Sequence, residues 1–79
     1  MTLTNTYIKL TANKMLNEYK ENGSFNIDNL DTLLYFAENA SNEIYHLIHK
    51  FYDIVVNVAS NGGAPVLKSI LAQLESEEN

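Results

Sequence analysis

Cysteine, arginine and tryptophan are absent from the 79 residues, proline occurs once and glycine three times. Without cysteine, a disulfide framework, a thiolate metal cage and a thiol nucleophile are excluded. Five lysines stand against ten acidic side chains, a formal charge of −5. That balance, with no arginine in it, argues against direct binding to nucleic acid, where cationic contacts supply most of the affinity. No apolar run approaches the ~20 residues of a membrane span. Met1-Thr2-Leu3-Thr4-Asn5 has neither the positive flank nor the hydrophobic stretch of a secretion signal. The expectation is therefore a cytoplasmic protein with no membrane partner, in which the Asn39-Ala40-Ser41 sequon has no role. Length is also short: one domain, 1–79, at the lower limit for an independent core, and too small for an enclosed multi-substrate active site.

What is present is apolar content, 46% of the residues, enough for a folded domain. Asparagine is abundant while arginine and tryptophan are missing, a bias of AT-rich coding DNA that hints at a low-GC bacterium or its mobile elements. Two glycine-bearing segments, Asn22-Gly23-Ser24 and Ser60-Asn61-Gly62-Gly63-Ala64-Pro65, punctuate the chain. The remainder reads as helix, since no alternating stretch bounded by hairpin turns occurs.

The spacing predicts an all-α bundle of three helices, at about 4–21, 28–60 and 65–76. In the first, Ile8, Ala12, Met15, Leu16 and Tyr19 share a face at steps of three and four. Thr2 or Thr4 is its expected N-cap and Asn22-Gly23 its stop. In the second, Asp28 is the expected N-cap, and Leu30, Leu34, Ala37, Ser41, Ile44, Ile48, Phe51, Val55 and Val58 follow alternating steps of four and three. Leu33, Ala40, Leu47 and Ile54 flank that seam. Asn39-Ala40-Ser41-Asn42 is its weak point, but the phase runs through it and it holds neither glycine nor proline. One long central helix of roughly 50 Å is therefore favoured, with a four-helix bundle broken near 39–42 as the alternative. The third helix starts at Pro65, suited to a first helical position, and buries Val66, Leu67, Ile70, Leu71 and Leu74. Glu75, Glu77 and Glu78 oppose its dipole, so the last residues should fray.

Such a central helix carries more apolar surface than two short neighbours cover. Tyr45, Tyr52 and Val56 form a second stripe beyond its main seam, with Leu34 leading into it. The simplest way to bury the excess is a homodimer, with Leu34, Tyr45, Tyr52 and Val56 as its interface.

Chemistry-bearing constellations are sparse. Glu43, His46, His49 and Asp53 occupy neighbouring turns of one helix, and imidazole with carboxylate at that spacing can hold a divalent metal. Carboxylate di-iron bundles, however, need a second Glu-x-x-His and further glutamates pointing inward. His46, His49 and Asp53 are therefore read first as a solvated face and only second as a metal site. Asn61-Gly62-Gly63 lacks the Lys-Ser/Thr of a phosphate loop and reads as cap and connector. Neither histidine adjoins a serine or threonine in a nucleophile arrangement. Asp28-Asn29-Leu30-Asp31 resembles the Asp-Ser-Leu-Asp stretch of acyl carrier proteins, which are small, acidic and helical. Asn29 stands where that family carries its phosphopantetheine-bearing serine, so the carrier chemistry is excluded. The acidic residues are dispersed over all helices, which suits solubility as well as imitation of nucleic acid.

The functional expectation is a small non-enzymatic regulator or inhibitor without a cofactor, of phage or mobile-element accessory type. It would bind a second copy of itself and a larger protein target. The alternatives are a metal- or small-ligand-binding bundle and a bacteriocin-immunity-type bundle.

Overall fold

A computed structural model describes residues 3–57 and 62–78. Among them lie four helices: α1 (Leu3–Asn22), α2 (Ile27–Ala37), α3 (Asn42–Asn57) and α4 (Gly63–Glu78). No strand occurs among the described residues. The all-α expectation holds. Within the described residues the segment favoured as one helix over 28–60 forms α2 and α3, parted at 38–41, close to where the four-helix alternative put a break.

Local chemistry explains the break. The Asn39 and Ala40 amides bond back three residues to Phe36 O and Ala37 O, tightening the end of α2. Ser41 then starts a new helix: its carbonyl accepts from the Tyr45 amide at 2.8 Å, and its hydroxyl accepts from the Ile44 amide at 3.4 Å. This is the geometry of an N-cap serine. The same hydroxyl donates to the Glu77 carboxylate at 2.5 Å. Glu77 thereby joins the end of α4 to the start of α3.

The other ends also differ in detail from expectation. Asn26, not Asp28, caps α2, accepting from the Asp28 amide at 2.8 Å. Asp28 instead places its negative charge in the first turn, where the dipole favours it. Thr4 lies inside α1 rather than at its cap, and Thr2 falls outside the described residues. Gly23 ends α1 as expected, with φ +74° and its amide on Tyr19 O at 2.8 Å. The α4 helix begins at Gly63, two residues before Pro65, and reaches Glu78. Val58, and Ser60 and Asn61 of the second glycine-bearing segment, lie outside the described residues.

Side-chain contacts orient the helices. Tyr7 near the start of α1 stacks on Phe36 near the end of α2, while Glu18 near the end of α1 accepts from Asn29 near the start of α2. These two helices are antiparallel. The Ser41–Glu77 bond at one end and Gly63 against Phe51 and Val55 at the other make α3 and α4 antiparallel too. Backbones approach between α1 and α2, α2 and α3, α3 and α4, and α1 and α4, but not across the diagonals. The result is an up-down-up-down bundle, 31 × 22 × 19 Å.

Each helix contributes one buried stripe: Ile8, Ala12, Met15 and Leu16; Leu30, Leu33 and Ala37; Ile44, Ile48 and Phe51; Val66, Leu67, Ile70 and Leu74. The seam and flank positions expected from spacing are thus all buried or packed against the core, apart from the polar Ser41 and the undescribed Val58. One end of the bundle is closed by aromatics. Tyr19 stacks on Phe25 at 4.6 Å, and Phe25 meets Phe51 edge-on at 5.2 Å.

Candidate functional site

The outward side of α1 is apolar over its first half. Leu3, Tyr7 and Leu10 recur at steps of four and three, with Leu3 and Leu10 turned away from Ile8, Ala12 and Met15 and Tyr7 at the flank toward α2. Leu3 is 69% and Leu10 62% exposed. Because α2 runs antiparallel beside α1, its last turn arrives at the level of Tyr7. There the Tyr7 and Phe36 rings stack at 5.1 Å and 16°, and Tyr35 meets Phe36 edge-on at 5.3 Å. Tyr35 itself is 70% exposed. Leu3, Tyr7, Leu10, Tyr35 and Phe36 therefore share one face of the α1–α2 pair, with Lys14, Asp31 and Glu38 exposed around it. Three aromatic rings in contact form an apolar platform on this face. Such surfaces suit protein contact, because tyrosine joins large buried area to a polar tip.

The residues singled out from the sequence lie on another shoulder. On α3, Ile54 turns toward α4, its Cγ2 standing 3.2 Å from where a side chain on Gly62 would begin. Tyr45, Tyr52 and Val56 lie about 160–180° around the helix from Ile54 and so turn toward α2. On α2, Asn29 and Phe36 face α1, which turns Leu34 and Ile27 toward α3. The four expected interface residues are thereby brought to one groove. Leu34 and Tyr52 are half-buried against the core, and Val56 is 50% exposed. Part of the apolar surplus that suggested a dimer is consumed inside the chain, because the central segment folds back on itself.

His46 is exposed and His49 half-buried on the outer side of α3. Tyr45 lies against both rings, with centroids at 5.6 Å from His46 and 4.3 Å from His49. Asp53 is exposed. Among the described residues no three histidine, cysteine or carboxylate side chains converge where they could hold a metal ion. No pocket is enclosed by the described residues, and none of their helices is long and apolar enough to cross a membrane.

The Leu3–Tyr7–Leu10 stripe escaped sequence reasoning, although its spacing was visible. It lies outside the stronger core stripe of α1, and Phe36 gives it significance only once α2 folds alongside. No family model, curated protein or solved structure matches the chain.

Proposed function

We propose that this protein is a small non-enzymatic regulator or inhibitor that works by binding a larger protein, and that the α1–α2 face is its docking surface. The observation that carries the reading is the platform of Tyr7, Phe36 and Tyr35 flanked by exposed Leu3 and Leu10. Small folded chains seldom leave large apolar side chains such as Leu3, Tyr7, Leu10 and Tyr35 exposed on one face without a use for them. Aromatic anchors surrounded by aliphatic contacts are the residues that dominate binding energy at protein interfaces. An origin in a phage or other mobile element is a further part of the proposal, supported by small size and AT-rich coding bias.

The test is capture of partners from the native host with three forms of the chain. A protein retained by the wild type and by Val56→Ser, but lost with the pair Leu10→Glu and Tyr35→Ser, supports this reading. A partner retained equally by all three forms rejects the α1–α2 face as the docking surface. Retention lost only with Val56→Ser assigns the α2–α3 groove instead.

A further inference from the structure

The segment that joins the two halves of the bundle carries a pattern the four-helix form does not require. Leu30, Leu33, Ala37, Ile44, Ile48 and Phe51 are all essentially fully buried. Along one uninterrupted helix at 100° per residue, these six would fall within an arc of about 60°. A turn between two helices imposes no such phase, because each helix finds the core by its own rotation. Only a continuous helix needs both halves to face the same way.

The turn itself is close to helical already. Glu38 has φ −63° and ψ −24°, inside the right-handed helical region. No residue at 38–41 is glycine or proline, and none has positive φ. Two of its amides keep short-range helical bonds to Phe36 O and Ala37 O. The turn ends at Ser41, held by its own capping bond and by Glu77. Both side-chain interactions belong to the broken form and would be given up in a continuous helix.

We infer that the chain also forms a homodimer by exchanging halves: residues 27–57 straighten into one helix, and the α1–α2 half of each copy packs against the α3–α4 half of the other. Such a helix measures about 46 Å at 1.5 Å per residue, longer than the 31 Å bundle. Two of them lie antiparallel, and the apolar arc of each faces the two cores that the exchange forms. Every contact between α2 and α3, and between α1 and α4, is remade between copies. The core is preserved, the four turn residues gain helical bonds, and the loss is the Ser41 cap with the association entropy. Exchange of identical elements is a low-cost route to dimers for this reason. The partner is a second copy of this chain, and the α1–α2 face stays exposed on both copies, so the dimer does not depend on what that face binds.

Two substitutions move the equilibrium in opposite directions. Asn42 is the first residue of α3, a position where proline is favoured, whereas proline within a continuous helix is strongly disfavoured. Asn42→Pro should hold the chain as a monomer. Ser41→Ala removes the cap and the Glu77 bond, each cap being worth about fivefold, so the dimer should strengthen about 25-fold for two chains. Because the protein has no cysteine, Asp31→Cys and Asp53→Cys accept spin labels uniquely. Labelled chain is refolded at high concentration with excess unlabelled chain, so that only distances within one copy are read, and monomer and dimer are separated by size. The expected separation in the dimer is about 33 Å, twenty-two residues of helix. In the monomer it is that of adjacent antiparallel helices, whose axes lie about 8–10 Å apart. A dimer with the short separation, a dimer undiminished by Asn42→Pro, or no dimer from either wild type or Ser41→Ala overturns the inference.

Discussion

Gly63 stands where the first turn of α4 meets the aromatic end of the bundle. A Cβ there would lie 2.8 Å from the Phe51 ring, 3.0 Å from Val55 and 3.2 Å from the Phe25 ring. All three neighbours are themselves packed against the core, so none can retreat freely. Gly63→Ala should destabilise the protein by about 1–3 kcal/mol, the cost of overpacking a filled core, read as a lower midpoint in urea unfolding. Gly23 presents the opposite case. Nothing lies within 4 Å of its would-be Cβ, but φ is +74°. Gly23→Ala should cost about 1–2 kcal/mol through backbone strain alone, and Gly23→Asn less, since asparagine tolerates that region better. Only the second of these roles was legible in the sequence. Asn22-Gly23 after an amphipathic stretch announces a helix stop. Nothing local marks Gly63 as a packing residue, because the rings that need its lack of a side chain come from two distant segments.

At the scale of elements, spacing carried most of the fold. The buried stripes of α1, α2, α3 and α4 are those that steps of three and four indicate. What spacing missed was the break at 38–41. Ala37 and Ile44 are seven residues apart and both buried, so the period reads straight through a turn without glycine or proline. At the break a side-chain oxygen, that of Ser41, caps the start of α3, and at the far end of α2 that of Asn26 caps its first turn. Asn26→Ala should lower stability by about 1 kcal/mol, the usual worth of an N-cap, without changing the association state. Ser41→Ala should lower the stability of the monomer by a similar amount and, unlike Asn26→Ala, shift the chain toward dimer. Size-exclusion chromatography of the two variants at matched concentrations distinguishes the two effects.

At the scale of the whole molecule, the bundle divides its surface unequally. The α2–α3 groove draws Leu34 and Tyr52 into the packing, while the α1–α2 face leaves Leu3, Leu10 and Tyr35 more than 60% exposed. A surface residue outside the core contributes little to folding, so Leu10→Glu with Tyr35→Ser should leave the free energy of unfolding within about 0.5 kcal/mol of wild type per site. The same pair should abolish partner binding. The surplus of apolar surface was legible in the sequence as a quantity. Its location was not, because that depends on which helices become neighbours. On α3, His46 and Asp53 are exposed and His49 is half-buried.

The docking claim is tested most directly by methyl NMR of the chain titrated with the partner it retains. Leu3 and Leu10 methyl signals should shift or broaden on binding while those of Ile27 and Val56 stay in place. Shifts confined to Ile27 and Val56, with Leu3 and Leu10 unmoved, would contradict it.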